Sequence, residues 1–237
     1  MTFLQHRDRQ PELMDQPGLE EAAHHAALAG LRRVNWLSGG VPAMWRQLPT
    51  LARSASADRP LRVLDVACGG GDVIVRLAGR AKRHGLPILF EGCDISETAL
   101  KLGYQLARQR RMLDLRFFQH DVLHEPLPDR YDVILCSLFL HHLDQSDAVL
   151  LMKNMAQAAR RAILVDDLLR TRLGYLMCWI GCRIVTQSRI VWNDGPLSVR
   201  AAFTMEEARQ LAGQAGLNQI QIRRHWPERF LLRWSRE

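Results

Sequence analysis

The stretch that decides the fold is Val63-Leu64-Asp65-Val66-Ala67-Cys68-Gly69-Gly70-Gly71-Asp72. A short apolar run leads into three glycines, and a segment with helical spacing follows. Glycines between a strand and a helix let the backbone approach a ligand closely, and a helix N-terminus supplies unpaired N–H groups. The sequence therefore predicts a ligand-binding loop directly after a buried strand.

Strands and helices alternate outward from this loop, which indicates βαβ units and a sheet with helices on both faces. The predicted strands of this part are 61–67, 88–94, 115–119, 131–138 and 162–167. Two further strands, 220–225 and 229–234, are separated by a hairpin-length connection. We therefore expect an α/β fold, with a Rossmann-like, seven-stranded, mostly parallel sheet that ends in an antiparallel C-terminal hairpin.

Two helical regions flank the alternating pattern. Residues 1–58 predict an N-terminal helical cap, with one helix over 20–37 that ends at Gly39-Gly40 and a second over 43–53. Residues 59–237 form the predicted main domain. The segment 171–200 interrupts this domain after the fifth strand as a helical insertion, in the position expected of an active-site lid.

Composition narrows the class of protein. No apolar run in the 237 residues reaches the length of about 18–20 that a membrane span needs, and the first ten residues are polar, so we expect a cytoplasmic protein. The net charge of +7 comes almost entirely from arginines that are scattered along the sequence. The five cysteines include no Cys-x-x-Cys pair, and the sequence predicts no metal site.

The charges of the glycine loop indicate the kind of ligand. Asp65 and Asp72 lie on either side of the loop, and two carboxylates repel the pyrophosphate of a dinucleotide. Ile74 also stands where a dinucleotide loop needs a small residue. A cationic ligand with amino and sulfonium groups suits these charges, which favours S-adenosylmethionine.

At these residues the sequence resembles class I S-adenosylmethionine-dependent methyltransferases. Val63–Val73 is similar to the first motif of that family, with Ala67 in place of the usual first glycine. The resemblance implies that Asp94 binds the ribose hydroxyls and that Asp121 contacts the adenine amino group. The full set of cofactor-binding residues that it implies is Asp65, Ala67, Cys68, Gly69, Gly71, Asp72, Asp94, Ile95, Asp121, Val122 and Ser137, with S-adenosylhomocysteine as the product.

The flanking segments resemble bacterial small-molecule methyltransferases of the ubiquinone, menaquinone and polyketide-associated type. The resemblance implies methyl transfer to O or C of an apolar, ring-containing acceptor, with His142 and His225 as candidate bases. The candidate acceptor-binding residues are Trp36, Tyr175, Trp179, Asp194 and Arg200. For Asp194 a turn with Gly195 is the alternative, and we expect Asp166 or Asp167 to pair with Arg170.

Three alternatives stay open beside this interpretation. One is a nucleic-acid methyltransferase, although residues 137–140 lack the Asn/Asp-Pro-Pro-aromatic motif of the amino-directed enzymes. Another is a non-catalytic protein that binds S-adenosylmethionine. The third is peripheral membrane contact through the apolar segment 173–185 and the arginines at 170, 172, 183 and 189. The identity of the acceptor and the choice between monomer and homodimer are not determined by the sequence.

Overall fold

The first strand, β1, lies in the interior of the sheet because most of its residues are apolar on both faces. The computed structural model describes residues 4–15, 26, 27, 30, 33–37 and 39–236. In it β1 covers Leu61–Val66, and all its side chains except that of Arg62 are buried. A strand buried on both sides needs parallel neighbours whose crossover helices cover the two faces.

The seven strands of the described residues form one sheet in the order β3-β2-β1-β4-β5-β7-β6. Strands β1 to β5 are parallel, whereas β7 is antiparallel to both β5 and β6. After β1 the strands are β2 Ile88–Asp94, β3 Arg116–Gln119, β4 Tyr131–Ser137, β5 Ala159–Leu168, β6 Gln221–His225 and β7 Arg229–Ser235. The predicted α/β sheet with its antiparallel C-terminal hairpin is confirmed.

Helices cover both faces of this sheet. They are α1 Gly40–Trp45, α2 Leu48–Leu51, α3 Asp72–Arg83, α4 Glu97–Gln109, α5 Gln145–Ala158, α6 Arg172–Val185, α7 Arg189–Ala201 and α8 Met205–Gln214. Helices α1 to α4 contribute to one apolar core, and α5 and α8 contribute to the core on the opposite face. Helix α8 begins with the expected capping box between Thr204 and Glu207.

The start of helix α1 differs from the sequence prediction. Gly39 follows the helical residues 33–37 with a φ of 73°, as expected of a glycine after a helix. The next helix, expected over 43–53, begins at Gly40 instead, so Pro42 lies inside the first turn of α1. Proline is tolerated in a first turn because its missing N–H would have no helical partner there. Residues 33–37 are helical, but most of the predicted 20–37 helix lies outside the described residues.

The insertion after β5 is formed by α6 and α7, and α7 corrects a second prediction. The turn expected at Asp194-Gly195 is absent, because both residues lie within α7. A Cβ atom on Gly195 would lie 2.6 Å from the sulfur of Cys182 and 3.0 Å from that of Cys178. Gly195 is therefore required by close packing of α7 against α6. Of the described residues, none belongs to a helix that is long and apolar enough to cross a membrane.

Candidate active site

The loop after β1 has the backbone conformation of a ligand-binding loop. Ala67, Gly69 and Gly71 have φ values of 50°, 54° and 73°, in the left-handed region. The ring of Phe117 would lie 2.9 Å from a Cβ atom on Gly71, whereas no atom lies within 4 Å of a Cβ atom on Gly69. Gly71 is therefore needed for packing, and Gly69 borders open space. Ala67 bears the strain of a conformation that glycine adopts freely.

Asp65 lies at the end of β1 with only 1% of its surface exposed. Its Oδ1 atom is buried and has no hydrogen-bond partner. Burial, and the nearby carboxylate of Asp94, raise the pKa of Asp65 to about 8. A buried carboxyl without a donor is costly, so this atom marks a position where a ligand with a donor or a positive charge fits.

Asp94 ends β2 beside the glycine loop. Its two oxygens accept hydrogen bonds from backbone N–H groups, with Oδ2 2.8 Å from the nitrogen of Gly69 and Oδ1 2.9 Å from that of Ser96. These contacts fix the carboxylate, and each oxygen retains a lone pair for a hydroxyl. The next side chain, Ile95, is 63% exposed and can cover the face of a ring.

The third acidic position follows β3. Asp121 accepts hydrogen bonds from the backbone of Leu123 at 3.0 Å and from Nδ1 of His124 at 2.9 Å. The contact with His124 lowers the pKa of Asp121, which keeps this carboxyl ionised. The side chain of Val122 is buried in the core, so only its backbone can contact a ligand.

The remaining predicted cofactor residues lie at the same edge of the sheet. Cys68 donates its backbone N–H to the carbonyl of Cys93 at 3.0 Å, and burial raises the pKa of its thiol. Asp72 begins α3, and Ser137 ends β4. The carboxyl ends of β1, β2, β3 and β4 thus bring the predicted set together, as expected for ligand sites in open α/β sheets.

These residues fit a nucleoside that also carries positive charge. Asp94 and Asp121 are placed to accept hydrogen bonds, and Asp65 lacks a partner for a buried carboxyl oxygen. Gly69 leaves the space next to the loop open. The site holds three carboxylates in place of the phosphate-binding groups of a dinucleotide site, so it suits S-adenosylmethionine.

The two histidines predicted as bases are not arranged for proton abstraction. Burial, and then the adjacent His141, lower the pKa of His142 to about 3, so its ring is a weak base. His225 has Nε2 2.7 Å from Oδ2 of Asp166 and Nδ1 2.9 Å from the carbonyl of Trp226. Both nitrogens of His225 are occupied, which assigns this residue to holding the β6–β7 hairpin against β5.

The acidic pair at the end of β5 has partners that the sequence did not indicate. Asp166 pairs with Arg229 and His225, and Asp167 lies 2.6 Å from Nδ1 of His141. Arg170, expected to pair with one of these aspartates, instead pairs with Glu207. All of these partners are distant in sequence, so no local spacing could have identified them.

Arg170 and Glu207 form a two-point ion pair, with nitrogen–oxygen distances of 2.8 and 2.6 Å. The guanidinium of Arg170 also donates to the carbonyl oxygen of Ala202 at 2.6 Å. The side chain of Arg170 is 2% exposed, and that of Glu207 is 30% exposed. This buried pair connects the end of β5 to the start of α8.

The residues predicted to bind the acceptor are found in different settings. Trp36 is 64% exposed, beside Arg76. Trp179 is 43% exposed, and the guanidinium of Arg183 lies 4.0 Å from its ring centre. Trp36 lines a groove that also contains Asp72, whereas Tyr175 is partly buried on α6.

Asp194 and Arg200 instead hold the segment 4–15, which we call the N-terminal strap. Asp194 accepts hydrogen bonds from the backbone N–H groups of Leu13 and Met14 at 2.9 and 3.0 Å. Arg200 forms an ion pair with Asp8. The strap therefore runs along α7, and its Arg7 and Arg9 donate hydrogen bonds to carbonyls of the loop after β4.

Comparisons with known proteins agree with this geometry. A family model described as "Methyltransferase domain" matches residues 63–162. The chain is 33% identical over 132 residues to the demethylmenaquinone methyltransferase of Deinococcus radiodurans, which covers 55% of this chain and 52% of the relative. It is 28% identical over 146 residues to the ubiquinone/menaquinone biosynthesis C-methyltransferase UbiE of Rhodopseudomonas palustris, which covers 60% of this chain and 56% of the relative.

The similarity in sequence is partial, whereas the similarity in fold covers nearly the whole chain. The chain spans about half the length of these curated relatives. The magnesium protoporphyrin IX methyltransferase of Synechocystis, solved with bound S-adenosylhomocysteine, has a TM-score of 0.59 at 18% identity over 94% of this chain and 91% of that one. Residues 63–162 thus match a methyltransferase domain model, and the fold shared with this methyltransferase structure extends over nearly the whole chain.

Proposed function

We propose that the protein transfers a methyl group from S-adenosylmethionine to O or C of an apolar, ring-containing small molecule. The observation that carries this proposal is the group of three acidic side chains at the carboxyl ends of β1, β2 and β3, in which a buried oxygen of Asp65 lacks a partner. When bound, S-adenosylmethionine supplies an activated methyl group on a sulfonium. Asp65 would hold its amino group, Asp94 its ribose, and Asp121 its adenine.

The chain's contribution to the reaction is alignment and exclusion of water, since methyl transfer from a sulfonium is an in-line displacement. Burial lowers the pKa of His142, and both ring nitrogens of His225 already have hydrogen-bond partners. We therefore infer that the acceptor is acidic enough to ionise without help, such as a phenol, a hydroquinone or an enol. The sequence relatives named for quinone biosynthesis support this class of acceptor.

The test is transfer of label from methyl-tritiated S-adenosylmethionine into organic-extractable product. The purified chain would be incubated with phenols, hydroquinones and enolic ring compounds, with Asp94→Ala as the inactive control. We expect labelled product from at least one phenolic or hydroquinone acceptor. Transfer only to nucleic acid would contradict the proposal. Binding of S-adenosylmethionine without transfer to any acceptor class would support the non-catalytic alternative.

One surface suits the delivery of a lipid-soluble acceptor. Four side chains at helical spacing on α6 are between 42% and 78% exposed, namely Leu173, Leu176, Ile180 and Ile184. Val185, at the end of the same helix, also lines a groove with cationic walls. The arginines of that groove are Arg33, Arg76, Arg80, Arg83 and Arg110.

We propose that this face lies against an anionic membrane surface. An apolar stripe beside clustered arginines is the pattern of helices that bind in the plane of such a surface. Of the flanking arginines expected to contribute, Arg170 is excluded because it is buried against Glu207.

Co-sedimentation with vesicles of phosphatidylglycerol and of phosphatidylcholine tests the surface. We expect binding to the anionic vesicles at low salt, and loss of that binding in Ile184→Glu. Leu150→Glu, on the exposed face of α5, is the matched control and should pellet like the wild type. Equal pelleting of all three proteins, or none at low salt, would refute the proposed membrane contact.

A further inference from the structure

Three side chains with metal-binding atoms meet beside the loop after β4. They are Glu12 of the N-terminal strap and the adjacent His141 and His142, and one potential ligand atom from each lies within 4.8 Å of the others. His141 is buried, and the other two are partly buried. We propose that Glu12, His141 and His142 bind a divalent transition metal, with Zn²⁺ as the ion best suited to two imidazoles and a carboxylate.

Asp167 provides the supporting contact that such a site requires. Its Oδ1 atom lies 2.6 Å from Nδ1 of His141, and its Oδ2 atom accepts the backbone N–H of the same residue at 3.2 Å. A histidine ligand nearly always donates its second ring N–H to a carboxylate or carbonyl, which fixes the tautomer and orients the ring. This contact leaves Nε2 of His141 as the nitrogen with a lone pair for a metal.

Glu12 is brought to the histidines by contacts between the strap and α7. Ser198 donates its hydroxyl to Oε1 of Glu12 at 2.5 Å. One turn earlier on α7, Asp194 accepts hydrogen bonds from the two residues that follow Glu12, so the strap is fixed directly after the carboxylate. The position of Glu12 is thus determined by α7, which makes it a prearranged ligand.

The loop that carries the two histidines is also held in place. Arg7 donates to the carbonyls of His141 and Leu143 at 2.8 and 2.5 Å, and Arg9 donates to that of His142 at 2.7 Å. These guanidiniums add positive charge near the proposed ion. The carboxylates of Glu12 and Asp167 offset that charge, and together they leave the site suited to a dication.

The position of the site gives the metal a role that rests on the proposed function. The histidines follow β4 at the carboxyl edge of the sheet, the edge at which open α/β sheets bind ligands. Three protein ligands leave a fourth tetrahedral position for water or for an acceptor oxygen. A bound metal lowers the pKa of a coordinated hydroxyl, so it would hold an acidic acceptor oxygen in the ionised form that accepts the methyl group.

The experiment measures metal binding directly and does not depend on methyl transfer. The purified full chain would be stripped with a chelator and titrated with Zn²⁺ against a chromophoric indicator, and then with Co²⁺ while visible absorption is recorded. We expect about one equivalent of Zn²⁺ per chain and the intense visible bands of tetrahedral Co²⁺. Removal of one ligand, in Glu12→Gln or in His142→Asn, should weaken Zn²⁺ binding about tenfold or more.

His84→Asn is the matched control. His84 is an exposed histidine directly after α3, at the amino edge of the sheet, whereas the two proposed histidine ligands lie at the carboxyl edge. This variant should retain wild-type affinity. Far-UV circular dichroism and thermal unfolding would show that each variant is folded. Equal Zn²⁺ affinity in all variants, or no binding of either metal to the wild type, would overturn the proposed site. Either result would leave methyl transfer as a separate question.

Discussion

Replacement of Asp65 by asparagine should stabilise the ligand-free protein, even though Asp65 lies in the centre of the proposed cofactor site. Burial raises the pKa of Asp65 from an ordinary 3.8 to about 8. Because this pKa is raised in the folded state, the contribution of Asp65 to stability is fully present below about pH 4. It is lost as the pH rises toward 8. At pH 7 the pH exceeds the ordinary pKa by about three units, which sets an upper limit of about 4 kcal/mol on the stability that is lost.

The assay is urea unfolding of wild type and Asp65→Asn at several pH values between about 4 and about 8. Near pH 4 the two proteins should have similar free energies of unfolding, because Asp65 is protonated in the wild type. The variant should become the more stable protein as the pH rises, by up to about 4 kcal/mol near neutrality. It should also lose affinity for S-adenosylmethionine, because the ammonium group loses its carboxylate. A stability difference that does not change with pH would refute this account of Asp65.

Three further predictions follow from the geometry. Ala67→Gly should raise the free energy of unfolding by about 0.5–1 kcal/mol in chemical denaturation, because it relieves a left-handed backbone conformation; destabilisation would contradict the strain. Glu207→Gln should cost about 2–4 kcal/mol because it leaves the buried Arg170 without its anion, whereas Glu206→Gln, which breaks an exposed pair, should change stability by less than about 1 kcal/mol. Asp194→Asn should release the N-terminal strap, seen as faster limited proteolysis within 4–15, and an unchanged rate would show that the carboxylate does not hold it.

The sheet and the cofactor pocket could be predicted because both follow from local sequence patterns. Apolar runs of strand length, the glycine loop and acidic residues at strand ends each carry their signal within a few residues. The strand boundaries agree with the prediction to within three residues; the fifth strand is the longest departure, since it begins at Ala159. The motif identifies the position of Ala67, but it does not show that the φ angle there is positive, because alanine also fits an extended backbone.

The acceptor side could not be predicted in the same way, because its contacts join distant segments. Asp194 has the sequence context of a turn, yet its carboxylate binds the strap from within a helix. The preference for His142 over His141 could not be tested by spacing, since only the folded chain shows that Asp167 contacts His141. Glu12 has no motif around it, and its position depends on α7.

The central claim is that the three carboxylates at the ends of β1, β2 and β3 hold S-adenosylmethionine. Calorimetric titration of S-adenosylmethionine and S-adenosylhomocysteine into the wild type, Asp94→Ala and the exposed control Asp114→Ala tests it most directly. The account predicts one site of micromolar affinity in the wild type and the control, with binding lost in Asp94→Ala. Binding that is unaffected by Asp94→Ala, or no binding to the wild type, would contradict the account.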